Sequence, residues 1–192
     1  MGLSSRFSDA LTFAHQLHAA QTRKGTNVPY ISHLLAVAAI VIENGGSEDQ
    51  AIAALLHDAV EDQGGQPTLE KIRERFGSKV ADIVQGCTDA DVIPKPPWKE
   101  RKTAYIAHIR TAPAEVRLVS AADKLHNARS ILHDYRSLKE DLWRRFNGGR
   151  EGTLWYYRSL VNAFREAGST PVVEELDRVV SELERLCEAA AC

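Results

Sequence analysis

The sequence predicts an all-α fold, a bundle of roughly ten helices joined by short loops. Three observations support it. Apolar residues recur at three- and four-residue spacing along most of the chain. Capping and helix-stopping residues cut that pattern into segments. Alternating runs of strand type are essentially absent, and no internal repeat is visible.

Taken in order, "FSDALTFAHQLHAAQ" has helical apolar spacing and Ser8 as a candidate cap, and "GTNVPY" interrupts it with Gly25 and Pro29. Ser32 can cap "HLLAVAAIVIEN", which Gly45 and Gly46 end. Ser47, followed by Glu48 and Asp49, opens "EDQAIAALLHDAVED", read as one continuous helix. Thr68 starts "LEKIRERF", Gly77 stops it, and Ser78 starts "KVADIVQGCT". The proline-rich "DADVIPKPPWKE" is the one longer loop, around residues 89–98. A helix near 99–110 follows, and Pro113 then sits early in "PAEVRLVSAADKLHNARSILHDY". "NGGRE" is a further break, and two amphipathic helices close the chain. In the last of them, over 170–190, Val172, Val173, Leu176, Val179, Val180, Leu183 and Leu186 form one stripe suited to covering the core. One domain over residues 1–192 accommodates all of this.

Composition narrows the function. A net charge of −2 offers no basic excess for nucleic acid or an anionic membrane. No stretch approaches the roughly 18 apolar residues of a membrane span. Cys87, Cys187 and Cys192 are odd in number and lack CxxC spacing, so neither a disulfide framework nor a zinc knuckle is expected, and a cytoplasmic location is.

The stretch "ALLHDAVEDQ" breaks the apolar pattern with four ionisable groups. On a continuous helix His57 stacks under Glu61 and Asp58 under Asp62. Acidic residues near a helix C-terminus oppose its dipole, so a solvated acidic end explains the pattern poorly. Charge directly after "AIAALL" is costly to bury unless it is paired or bound to metal. His33 heads another strongly apolar run, and Asp123 interrupts a third, with Asn127 one turn beyond. Two imidazoles and two carboxylates suit Mn²⁺, Fe²⁺, Co²⁺ or Zn²⁺. Such an ion lowers the pKa of bound water. A second His-Asp dipeptide, His133-Asp134, has Ser137 and Leu138 one turn on instead of carboxylates and reads as structural, as do His15, His18 and His126.

His33, His57-Asp58 and Asp123 together resemble the H…HD…D signature of HD-domain metal-dependent phosphohydrolases. "HDAVED", "QTRKGTNVPYISHLLAVA", "FGSKVADIVQGCTD", "ERKTAYIAHI" and "AADKLHNARSI" are similar, in that order, to segments of the hydrolase domain of RelA/SpoT alarmone enzymes. The likeness runs over about residues 7–165 and matches the stand-alone small alarmone hydrolases of the stringent response. It implies a single HD-domain helical bundle and removal of the 3′-pyrophosphate from (p)ppGpp, giving GDP or GTP and pyrophosphate, with Mn²⁺ as cofactor. It also implies roles. His33, His57, Asp58 and Asp123 hold the metal, which binds a 3′-phosphate oxygen and activates water. Glu61 and Asp62 orient that water or accept its proton. Asn127, Arg23, Lys24 and Lys102 meet the nucleotide, and so does one aromatic of Trp155, Tyr156 and Tyr157, with Trp155 favoured. "QGGQ" at 63–66 and "PKPPW" at 94–98 depart from the family pattern and leave guanine versus adenine open. The alternatives are a related phosphohydrolase acting on (p)ppApp or NADPH, and a catalytically inert nucleotide-binding module. The partner expected in every case is a small nucleotide; oligomeric state is left open.

Overall fold

The computed structural model describes residues 2–89 and 96–189. Most of the expected proline-rich loop, and Cys192, lie outside these residues. Among those described there are ten α-helices and one 3-10 helix; the only β pairing is an isolated antiparallel bridge between Thr22 and Pro29. The all-α expectation is borne out. No helix among the described residues is long and apolar enough to cross a membrane.

The chain divides into two compact units. The first comprises residues 1–96 and 112–122. It holds α1 (Ser5–Leu17), α2 (Ile31–Glu43), α3 (Glu48–Leu56), α4 (Ala59–Asp62), α5 (Gln66–Phe76) and α6 (Ser78–Cys87). Leu34, Val41, Ile52, Leu55, Ile72 and Val84 are fully or almost fully buried here and form its core. The α3 residues Ala51–Leu56 are all buried, so α3 is the central helix of this unit. Being apolar on every face is what a helix needs when it is surrounded by others.

The second unit comprises residues 97–111 and 123–192. It holds α7 (Trp98–Thr111), most of α8 (Ala114–Leu138), the 3-10 helix Lys139–Arg145, α9 (Gly149–Ala167) and α10 (Pro171–Ala189). The α10 stripe is buried as expected from Val172 to Leu183, with Cys187 continuing it. Arg158 on α9 pins α10 from the side, donating to Asp177 and Glu184.

Several boundaries differ from expectation, each for a local reason. Ser4, not Ser8, caps α1: its hydroxyl accepts from the Arg6 N–H, while Ser8 lies inside the helix with its carbonyl accepting from Thr12. Tyr30, not Ser32, stands at the head of α2 and makes no side-chain cap. Ser47 does cap α3, in a reciprocal pair with Gln50. Helix α5 begins at Gln66, two residues before Thr68, with Pro67 in its first turn, where a missing N–H costs nothing. Gly77, at φ +94°, ends α5 in a conformation that favours glycine. The 3-10 helix was not expected as a separate element.

The most consequential difference lies in "EDQAIAALLHDAVED". It is not one helix: α3 ends at Leu56, His57 and Asp58 form a turn, and α4 is a single turn.

Candidate metal centre and active site

The turn at His57-Asp58 is held by its own side chains and backbone. His57 Nδ1 lies 2.8 Å from the Ala54 carbonyl, so Nδ1 carries the proton and donates. This directs Nε2 the other way. The backbone N–H of Asp62 donates to the Asp58 carbonyl at 3.0 Å, closing the single turn of α4. The local backbone stays close to helical values (His57 φ −60°, ψ −31°; Asp58 φ −95°, ψ −2°). A small deviation therefore suffices to leave the helical register.

The result is convergence. His57 Nε2 lies 3.0 Å from Asp58 Oδ2, and His33 Nε2 lies 3.6 Å from the same oxygen. The two imidazoles meet edge to face with centroids 5.2 Å apart. His33 is fully buried and His57 is 3 % exposed. One ligand atom from each of His33, His57 and Asp58 lies within 4.8 Å of the other two. Tyr30 OH donates to Asp58 Oδ2 at 2.6 Å, and the Tyr30 ring packs on the edge of His33.

The donor set fits a divalent transition metal. Two imidazole nitrogens and a carboxylate oxygen converge, one imidazole is oriented through its other nitrogen, and the carboxylate is held by a phenol. Burying two histidines beside a carboxylate among apolar helices is costly without such a group.

Of the expected catalytic pair, Glu61 and Asp62 both lie on α4 directly after the turn. Asp62 Oδ2 accepts from Gln21 Nε2 at 2.8 Å. Asp62 keeps access to solvent, yet the protein crowding its carboxylate raises its pKa, and Asp58 and Glu61 nearby push it the same way. The Gln21 amide and His18 oppose that rise.

The remaining expected residues lie in their own surroundings. Arg23 stacks over Tyr30 at 5.8 Å, which ties it to the ring that holds Asp58, while Lys24 is exposed. In the second unit Asp123 is buried on α8 and accepts from Lys124 Nζ at 2.6 Å and Asn127 Nδ2 at 2.5 Å. Burial alone would lower the Lys124 pKa; Asp123, Tyr156 and Tyr105 more than reverse this and hold it well above the usual lysine value. Lys102 Nζ sits 4.9 Å from the Tyr156 ring centroid. Tyr156 and Tyr157 are buried, whereas Trp155 is only half-buried, edge-on to Trp98 and under the Lys99 ammonium.

Of the residues read as structural, His18 stacks on the Tyr30 ring that holds Asp58. His15 is exposed and His18 buried. Sequence reasoning gave no role to Tyr30, Gln21 or Gln63. Tyr30 carried a usable signal: it lies three residues before His33 at a helix start, the spacing that puts two side chains on one face.

The fold and this cluster define a helical protein with a His/His/Asp group fit for a divalent metal. The chain belongs to the HD domain family, whose model matches residues 10–154. It is 41% identical over 119 residues to guanosine-3′,5′-bis(diphosphate) 3′-pyrophosphohydrolase MESH1 of Xenopus tropicalis, covering 60% of this chain and 64% of that protein. It therefore spans a little under two thirds of that relative's length. A solved structure described as a metazoan ortholog of SpoT that hydrolyzes ppGpp superposes with a TM-score of 0.78 at 25% identity, over 95% of this chain and 98% of the other. A Listeria monocytogenes EGD-e protein superposes with a TM-score of 0.71 at 34% identity, over 80% of this chain and 99% of its own.

Proposed function

We propose that this chain is a metal-dependent 3′-pyrophosphohydrolase of (p)ppGpp, releasing pyrophosphate and GDP or GTP. The observation that carries the reading is the His33–His57–Asp58 convergence, followed within one turn by Glu61 and Asp62. Its similarity to relatives named for that reaction supports the substrate. Mn²⁺ is the proposed metal, with Asp123 as fourth ligand and one HD domain spanning residues 1–192. A divalent ion held by these residues lowers the pKa of a bound water and offsets charge on a phosphoryl oxygen.

The chain's own residues do the rest. Hydrolysis adds water across the bond between the ribose 3′-oxygen and phosphorus: the pyrophosphate keeps the water's oxygen, and the 3′-oxygen leaves and takes a proton. Asp62, whose proton affinity is raised by its crowded setting, accepts the water's proton, and Glu61 orients the water. Arg23, Lys24 and Lys102 neutralise phosphate or stack on the base. Asn127 donates to the ribose or phosphate, and Trp155 packs against the nucleotide. The partner is a small nucleotide, not nucleic acid or membrane, in keeping with a net charge of −2, and the location is the cytoplasm.

Product analysis tests this. Mn²⁺-loaded protein is incubated separately with ppGpp, ppApp and NADPH, alongside Asp58→Ala and Glu61→Ala. Pyrophosphate release from ppGpp, lost in both variants, is expected. Faster release from ppApp would reassign the base, and phosphate release from NADPH alone would replace the alarmone. Metal-loaded wild type that leaves all three intact would favour a binding module.

A further inference from the structure

We infer that Gln21 is a positioning residue for Asp62, a side-chain amide clamped from behind so that only its NH₂ can face the carboxylate; this rests on the proposed hydrolase reading. Gln21 is fixed before its side chain is considered. Its N–H donates to the His18 carbonyl at 3.0 Å, and its carbonyl accepts from the Tyr30 N–H at 2.9 Å. The side-chain oxygen Oε1 then meets two groups at once, His18 Nδ1 at 2.7 Å and Gln63 Nε2 at 2.6 Å. The side-chain nitrogen Nε2 donates to Asp62 Oδ2 at 2.8 Å.

The orientation of the amide follows from these partners. Two donors on Oε1 leave Nε2 for the carboxylate. His18 is 3 % exposed, and its Nε2 has no hydrogen-bond partner. With the proton on Nδ1, that buried Nε2 is a bare lone pair, whereas the other tautomer would bury an unpaired N–H. The flipped amide would require that second tautomer and would also turn an oxygen toward the Asp62 carboxylate. Both consequences disfavour the flip. His18 is held in turn by the Tyr30 ring, stacked at 5.2 Å with 19° between planes.

The clamp therefore has a purpose that ordinary loop stapling does not explain. The backbone contacts already close the segment between α1 and α2, together with the Thr22–Pro29 bridge. The side-chain amide goes beyond that closure: besides meeting His18 within the segment, it reaches across 41 residues of sequence to one carboxylate rotamer. Gln63, next to Asp62, closes the circuit from the far side. Rotation of the Asp62 carboxylate would break its bond to the amide, which His18 and Gln63 hold in place.

The test is a double-mutant cycle with a second readout independent of turnover. Gln21→Met keeps length and removes the amide. It should lower kcat for ppGpp about 10- to 100-fold, the range typical of lost outer-shell partners, with KM within about twofold and bound metal unchanged. In an Asp62→Ala background the same change should alter kcat by less than about twofold, because Gln21 then has nothing to position. An equal loss in both backgrounds, or a loss confined to KM, overturns the inference.

In metal-free protein the two Gln21 side-chain amide protons should give distinct NMR resonances that shift in Asp62→Ala. That variant keeps Gln21 and serves even where Gln21→Met does not fold. If wild type releases no pyrophosphate from ppGpp, the hydrolase reading fails on its own, and the NMR still decides the clamp: resonances unmoved by Asp62→Ala overturn it.

Discussion

Two His-Asp dipeptides in this chain have opposite fates. His57-Asp58 ends α3 in a turn, and both side chains point to one place, with His57 Nε2 3.0 Å from Asp58 Oδ2. His133-Asp134 lies inside α8, an uninterrupted helix. Successive side chains on a helix diverge by about 100°, so that pair separates: His133 is exposed, and Asp134 turns to Arg145, 2.9 Å away. The dipeptide alone does not make a metal site. A helix that stops between buried helices offers one, because the break brings adjacent residues together in a group that could hold a metal ion.

The largest expected effect contrasts the two aspartates. Asp58→Ala should abolish stoichiometric Mn²⁺ binding and lower alarmone hydrolysis by more than about 100-fold, beyond the usual cost of losing an outer partner. Asp134→Ala should leave both within about twofold. Metal analysis of dialysed protein and pyrophosphate release are the measurements. If Asp134→Ala also lost metal, the contrast would fail.

A smaller effect sharpens the role of what supports the first pair. Tyr30→Phe keeps the ring stacked on His18 and beside His33 but removes the 2.6 Å bond to Asp58. Mn²⁺ affinity should fall about 10-fold, the low end for an outer-shell partner. Titration calorimetry would detect it. An unchanged affinity would mean that the break in the helix alone orients Asp58.

Much of this was legible in the sequence, for physical reasons. Apolar periodicity reports burial, and burial decides helix faces, so the helices and the α10 stripe could be read directly. His33, His57 and Asp58 stood out because polar groups had no evident reason to interrupt apolar runs. The helix break at His57 was not legible: no Gly or Pro marks it, and the i,i+4 stacking inferred for a continuous helix does not describe the site. The cue lies in a side-chain bond from His57 to the Ala54 carbonyl, which leaves no trace in periodicity. The caps failed for a related reason. Ser4, Ser8 and Ser32 are equally good capping residues, and only tertiary contacts choose among them: the Ser4 N–H donates to Glu48, which anchors the chain one turn earlier than expected. The Gln21–Asp62 bond was invisible because it joins residues far apart in sequence through a segment with no period at all.

The next effect is smaller and concerns the second dipeptide. Arg145→Ala removes the ion pair with Asp134, whose partners are 26% and 33% exposed. Partial exposure screens such a pair, so the cost should be about 0–1 kcal/mol. Thermal unfolding of the metal-free protein should shift by no more than about 4 °C, at 2–4 °C for each kcal/mol in a chain of this size. A larger shift would mean that His133-Asp134 belongs to a more tightly coupled structural network.

The smallest effect returns to the turn after α3 and carries a pH signature. Asp62 has a folded-state pKa above its usual value, first because of the protein crowding it and then because of Asp58 and Glu61. A carboxyl group with a raised folded pKa favours the folded protein most when protonated. Its contribution is fully present below the unfolded pKa and is lost as pH rises through the folded pKa. Asp62→Asn removes that loss. In metal-free protein the variant should unfold at a higher temperature than wild type at pH 8, with the difference shrinking toward zero as pH falls to about 4, the ordinary aspartate range. Solvent access at Asp62 keeps the gain modest, and Gln21 can still donate to the asparagine oxygen. Melting curves across pH would reveal it. A gain that grew as pH fell would show the opposite shift in Asp62, and the crowded carboxylate would then be better described as stabilised by Gln21 and His18 than strained by Asp58.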